Sequence, residues 1–210
     1  GVKRFIYAAS SSTYGDHPDL PKVEDKIGSP LSPYAITKYV NELYADIFAK
    51  TYGIEVIGLR YFNVFGRRQD TYGAYAAVIP KFVKSLMQLQ RPKINGDGSV
   101  SRDFTYIDNV LQVNHLAAIV EEDSDLNQIY NVAHGERTTL NQLFSMIRAK
   151  TSCYDKNIAS IEPEYGPFRA GDIPHSLASI EKAKMKLGYN PTHTVEQGLE
   201  EAVEWYWNNL

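Results

Sequence analysis

The chain opens on a short apolar run, Phe5 to Ala9, closed by the polar cluster Ser10-Ser11-Ser12-Thr13. An unbroken apolar run bounded by small polar residues predicts a buried strand. Turn residues follow (Gly15-Asp16-His17-Pro18, Leu20-Pro21, Gly28-Ser29-Pro30), and then Ser32-Pro33 supplies a capping hydroxyl and a first-turn proline. Ala35, Ile36, Tyr39, Val40, Leu43, Tyr44, Ile47 and Phe48 recur at spacings of one, three and four as far as Gly53, which predicts a helix with a broad apolar face. Ile54 to Phe62 predicts a second buried strand. Strand, helix and strand in this order make a parallel β-α-β unit. A chain that opens directly on a core strand implies sheet partners upstream of Gly1; an edge strand behind a processed terminus is the alternative.

Further along, the pattern predicts helices over Ala77 to Leu89, Ile107 to Glu122, Leu140 to Lys150 (behind a Thr138-Thr139 cap), Ile180 to Leu187 and Val195 to Asn208. Lys93 to Gly98 reads as a short strand and turn, and Ile129 to Ala133 as a strand. No repeat, low-complexity tract or linker breaks the chain, so its parts are expected to pack closely.

Composition narrows the function. Hydrophobic residues are 43% and charged residues 22% of 210, a folded rather than a disordered chain. Acidic residues number 25 against 22 basic, a net charge of −3, so neither nucleic acid nor an anionic membrane is an expected partner. The single cysteine, Cys153, excludes an internal disulfide and a cysteine-built zinc site, and it suits a cytoplasmic location. The opening apolar run is too short for a signal sequence or a membrane span. Metalloprotease, thiol-redox, serine-hydrolase and phosphate-loop motifs are missing, as is G-x-G-x-x-G, and the five histidines lie too far apart for a sequence-local metal site.

One spacing does carry chemistry. Tyr34 and Lys38 stand at i and i+4, so a phenol and an ammonium share one helix face. A nearby cation favours phenolate, which a general base requires. With 15 Tyr in the chain, chance alone supplies about one such pair, so context decides. The helix runs antiparallel to its flanking strands, and its first turn therefore lies at their carboxyl ends, beside the serine cluster. Sites in parallel α/β sheets form at that end.

Three segments, Ala8-Ala9-Ser10-Ser11-Ser12-Thr13-Tyr14-Gly15, Ser32-Pro33-Tyr34 with Lys38, and Arg60-Tyr61-Phe62-Asn63-Val64-Phe65-Gly66, together resemble the extended short-chain dehydrogenase/reductase family. The likeness is greatest to its nucleotide-sugar 4-epimerases. It continues in order through Gly96-Asp97-Gly98, Ser101-Arg102-Asp103-Phe104 and Arg169-Ala170-Gly171-Asp172. The resemblance implies an α/β fold: the C-terminal part of a Rossmann-type doubly wound parallel sheet plus a smaller α/β substrate-binding domain. Residues 1–66 would be the remaining part of the NAD-binding domain, and 67–210 mainly the substrate region, with some segments returning to the first domain. By the usual size of a nucleotide-binding half, the chain would be about 130 residues short of the family fold.

The resemblance also assigns roles. Tyr34 would be the base at the sugar 4-hydroxyl, Lys38 would bind the nicotinamide ribose and lower the Tyr34 pKa, and Ser10 would match the family's catalytic hydroxyl. Tyr34, Lys38 and Tyr61 would contact NAD. Ser11, Ser12, Asn63, Ala77, Val78, Arg102, Arg169, Asp172 and Ser176 would contact the substrate, with Arg102 and Arg169 gripping the diphosphate, a task suited to a guanidinium fork. Resemblance to 4,6-dehydratases is weaker, because their Asp-Glu pair is replaced by Ser11-Ser12. Relatives that reject N-acetyl sugars carry a bulky Tyr where this chain has Ser176, which leaves room for a 2-acetamido group. The run from Ser10 to Pro18 is similar to the UDP-N-acetylglucosamine 4-epimerases of bacterial surface-polysaccharide synthesis. A UDP-GlcNAc/UDP-GalNAc substrate (or the uronic acids), a homodimer at full length, and cytoplasmic location follow as expectations. The alternatives are another epimerase or dehydratase of the family, a reductase, or an inactive nucleotide-sugar-binding fragment.

Overall fold

The computed structural model describes residues 1–70, 77–168 and 173–210. Its centre is a parallel sheet of β1 (Arg4–Ser10), β2 (Glu55–Tyr61) and β7 (Gln128–Val132), in the order β1-β2-β7. The register pairs Ser10 with Tyr61 and Tyr61 with Val132, so the three strands end in one row. β2 is the middle strand and buries Val56 to Arg60, which is why its sequence reads as an apolar run rather than an alternation.

Helix α1 (Pro33–Tyr52) joins β1 to β2 across one face of the sheet. Ser32 caps it, its Oγ accepting from Ala35 N at 3.1 Å. Gly53 closes it in the left-handed conformation, φ 68°, donating to Ala49 O. The opposite face is covered by α3 (Ile107–Ile119) and α5 (Glu181–Leu187). Ile57, Leu59, Val113, Tyr130, Val132 and Ala183 form the core between them. A second core lies among α2 (Val78–Met87), α4 (Leu140–Thr151) and α6 (Val195–Asn209), with Phe82, Leu86, Phe144, Ile147, Leu199 and Tyr206 interlocked.

Six short strands complete the fold as two-stranded pairs. β3 (Val64–Phe65) pairs with β6 (Thr105–Tyr106), β4 (Lys93–Asn95) with β9 (Glu164–Gly166), and β5 (Ser101–Arg102) with β8 (Thr138–Thr139). Most are two residues long, below the reach of any periodicity. The helix predicted to run to Glu122 ends at Ile119, where Val120 turns extended. The serine cluster that closes β1 is a 3₁₀ turn over Ser11–Tyr14 capped by Ser10.

The broad apolar face predicted for α1 is real but mostly uncovered. Only Ala35 and Glu42 are buried on this helix, whereas Tyr44 is 63% and Ile47 56% exposed. Among the described residues, no helix is long and apolar enough to cross a membrane.

Candidate active site

The row of strand ends at Ser10 and Tyr61 is where the proposed chemistry gathers. Ser10 Oγ accepts from Ser12 N at 3.2 Å and from Ser12 Oγ at 2.9 Å, which leaves its own hydroxyl hydrogen for an outside acceptor. The chain turns away at Gly15, φ 55°, where a Cβ would overlap the Ser29 carbonyl. Lys38 reaches from the second turn of α1 to the backbone of β1, donating to Ala8 O at 3.0 Å. Its ammonium lies 5.9 Å from the centre of the Tyr34 ring. Tyr34 itself is 57% exposed in the first turn, with its phenol open to solvent.

A cleft of about 250 Å³ opens beside this helix start. Of the residues expected to bind substrate, it is lined by Ser11, Ser12, Asn63, Arg102 and Ser176. They come from the β1 turn, the end of β2, the strand β5 and the 173–176 segment, so distant parts of the sequence meet in one place. Asn63 sits at φ 35°, a left-handed conformation costing roughly 1 kcal/mol or more that a surrounding structure must hold. Its Nδ2 donates to Asp103 O at 3.1 Å, and Thr105 N donates to its carbonyl. The amide is therefore fixed in direction, with its oxygen available as an acceptor.

Ser101 positions the opposite wall. Its N–H donates to Pro174 O, its carbonyl accepts from Ser176 N at 3.1 Å, and its Oγ lies 2.9 Å from His175 Nδ1. The Arg102 guanidinium lies along the same segment, donating to Ser101 O at 2.9 Å and Pro174 O at 3.3 Å. Beneath it, Asp103 is fully buried and gathers backbone N–H groups of His134, Gly135 and Ala178 at 3.0–3.2 Å. Burial pushes its carboxyl up to about 7, with those N–H bonds holding it back. This carboxyl ties the segment after β7 to the segment carrying Ser176.

Other expected residues lie elsewhere. Tyr61 is half-buried and donates to Asn114 Oδ1 at 3.1 Å, and burial raises its phenol. Ala77 caps α2 without a side-chain bond, and Val78 lines a different cleft with Lys81, Lys84, Arg91 and Lys93. Neither lines the cleft with the serines. Arg169 and Asp172 fall outside the described residues. Three cleft residues escaped the sequence reading: Lys22 and His175 in the lining and Asp103 below it. Asp103 adjoins Arg102 in a noted motif and His175 adjoins Ser176, whereas Lys22 carries no sequence signal beyond its turn. Away from the cleft, Asp108, His193 and Glu201 place ligand atoms within 4.8 Å of one another. Arg67 already pairs there, 3.1 Å from Asp108 and 3.8 Å from Glu201.

Comparison with known proteins adds a lineage to this geometry. Residues 1–133 match the model of the NAD dependent epimerase/dehydratase family. The UDP-N-acetylglucosamine 4-epimerase of Methanobrevibacter ruminantium M1, solved with UDP-N-acetylmuramic acid, is 39% identical with a TM-score of 0.91; the match covers 99% of this chain and 64% of that one. The Thermotoga maritima UDP-glucose 4-epimerase, solved with UDP-glucose, is also 39% identical, with a TM-score of 0.89 and the same coverage. The Bacillus cereus UDP-glucuronic acid 4-epimerase, solved with UDP-glucuronic acid and NAD, is 27% identical with a TM-score of 0.87, over 99% of this chain and 62% of that one. The chain spans 60–64% of the length of the curated relatives it matches.

Proposed function

Because the chain belongs to the NAD dependent epimerase/dehydratase family, we propose that it carries the sugar-side machinery of an NAD-dependent 4-epimerase acting on a UDP-N-acetylhexosamine. The observation that carries this reading is the meeting of Ser11, Ser12, Asn63, Arg102 and Ser176 in one cleft beside the Tyr34–Lys38 turn. Residues 1–66, with β7 alongside, would form the cofactor-binding half, and most of 67–210 the sugar half.

The donor set suits the nicotinamide-ribose end of NAD: an exposed phenol, an ammonium anchored one turn later, and an open strand end between them. Tyr34 and Lys38 would hold that end, with Tyr61 nearby. When bound, NAD supplies a reversible hydride acceptor at sugar C4, so that the sugar passes through a 4-keto state. Tyr34 takes the proton of the 4-hydroxyl and returns it to the same oxygen after the keto sugar has turned over to present the other face of C4. Lys38 favours the phenolate by its charge, and the Ser10 hydroxyl donates to the sugar oxygen. Arg102 faces the diphosphate as a forked donor. Asn63 offers its fixed amide oxygen to a sugar hydroxyl. Epimerisation needs one base and room to rotate the keto sugar, and Ser11-Ser12 adds no second acid–base pair of the kind dehydration requires.

Substrate choice follows from the wall opposite the serines. Ser176 is small and half-buried there, leaving space for a 2-acetamido group. The physiological setting we assign is surface-polysaccharide synthesis in the cytoplasm, by a homodimer joined through the exposed face of α1. Incubating the protein with NAD and UDP-GlcNAc, followed by chromatography, should yield UDP-GalNAc; no product overturns the reading. Ser176→Tyr should cut turnover of the N-acetyl sugar at least about fivefold relative to UDP-glucose, since overpacking costs about 1–3 kcal/mol. Equal retention of both activities refutes the pocket argument.

A further inference from the structure

The cleft holds one charge that a neutral sugar does not explain. Lys22 is only 4% exposed, yet among the described residues its ammonium makes no ion pair and bonds instead to the His17 carbonyl. The carboxylate acting on it is that of Asp19, whose side chain is 69% exposed. Burial pushes the ammonium below the usual lysine range, with Asp19 opposing. A buried cation without a counter-charge is costly, and it becomes favourable when an anion arrives with good geometry.

The backbone around Lys22 is rigid. Its N–H donates to Leu177 O at 2.7 Å, and its carbonyl accepts from Ser179 N at 2.9 Å and Asn131 Nδ2 at 3.0 Å. These bonds place Lys22 against the strap that carries Ser176. Lys22, Leu31, Ile173 and His175 line both the cleft and an adjoining hollow of about 370 Å³, which also takes in His17, Pro18, Leu20 and Asp16, the last with one carboxyl oxygen accepting from Ser29 N. Among the described residues, the cleft lining contains Lys22, Arg102 and His175 but no Asp or Glu. Arg102 is accounted for by the diphosphate. The Lys22 charge, with N–H donors beyond the one held by the His17 carbonyl, is left over.

We propose that Lys22 is a specificity-determining residue that receives a carboxylate carried by the sugar ring, so that the site prefers an acidic UDP-hexosamine to its neutral counterpart. The inference rests on the UDP-sugar reading above and adds the charge class of the sugar. Two positions could carry the carboxylate, C6 as a uronate or C3 through a lactyl ether. Lys22 lines both the cleft and the hollow, so a carboxylate entering from either position is within the same lining.

The test compares UDP-GlcNAc, UDP-N-acetylglucosaminuronate and UDP-N-acetylmuramic acid on the wild-type protein, Lys22→Met and Lys22→Arg. Turnover with NAD and affinity by titration calorimetry are both measured. Methionine keeps the stem volume and removes the charge, while arginine keeps the charge. The acidic-to-neutral ratio of kcat/KM should fall at least about tenfold in Lys22→Met for one acidic substrate, the loss lying in KM, as expected for one charge-assisted bond. Lys22→Arg should retain most of the preference. The acidic substrate affected shows which ring position bears the carboxylate. A ratio unchanged within about twofold for both acids, or a Lys22→Met variant that loses stability and all substrates alike, overturns the proposal. If the wild type epimerises none of the three yet binds the acids in a Lys22-dependent way, the 4-epimerase reading fails and this one stands. If epimerisation proceeds with no Lys22-dependent charge preference, the reverse holds.

Discussion

At the scale of single residues, the site depends on side chains that hold others in place. Asp103 accepts from the Asn63 amide through its carbonyl, and its carboxyl oxygens gather N–H groups from His134, Gly135 and Ala178 and so join the two segments flanking the cleft. Its folded carboxyl, pushed up to about 7 by burial, lies above the value near 4 of an unfolded chain. The folded state therefore binds more protons than the unfolded state between those values. The stability this carboxyl contributes is full below about 4 and is lost as pH rises through about 7. Asp103→Asn removes the titration and turns an amide N–H toward backbone donors. It should lower unfolding free energy by about 1–3 kcal/mol near pH 5. The gap from wild type should narrow by pH 8, read by urea unfolding at the two pH values. A gap that widens with pH would contradict the assignment.

At the scale of elements, the direction of α1 matters most, because it carries Tyr34 and Lys38. Glu42 on this helix meets Arg60 on β2 in a two-pronged pair at 2.8 and 2.9 Å, both side chains only 3% exposed. Arg60 also donates to Glu24 O and lies 4.8 Å over the Tyr14 ring. Glu42→Gln leaves a buried guanidinium without its counter-charge and should cost about 3–5 kcal/mol in denaturant unfolding. Replacing both partners by apolar residues of similar volume should recover most of that loss; a double variant as unstable as the sum would contradict the account. The long elements were legible in the sequence because burial imposes period and caps impose boundaries, as at Ser32 and Gly53. Two-residue strands such as β5 and β8 were not, since their pairing is set by chain segments tens of residues away. The same holds within the site. Tyr34 with Lys38 stands out once its spacing is joined to a helix start at the strand ends beside the serine cluster, whereas Lys22 is brought to the cleft by backbone bonds to Leu177 and Ser179 that no local pattern signals. The α1 face shows the converse. Its periodicity was correct, yet the pattern alone does not say which part of an apolar face is covered.

At the scale of the whole molecule, one end of a parallel sheet gathers Ser10, Tyr61 and the start of α1, and a second layer of helices and short strand pairs brings Arg102 and Ser176 across from them. On the proposed reading the base and its cation lie on the sheet side, Ser176 lies on a strap across the cleft, and Lys22 is tied to that strap by backbone bonds to Leu177 and Ser179. The central claim is that the sugar loses and regains its own hydrogen at C4 on opposite faces. Its most direct test is incubation of the protein and NAD with UDP-GlcNAc deuterated at C4, followed by mass spectrometry and proton NMR of the product. The account predicts UDP-GalNAc that retains the deuterium at C4, with turnover lost in Tyr34→Phe. Product with deuterium washed out into water, or epimerisation undiminished in Tyr34→Phe, would contradict it.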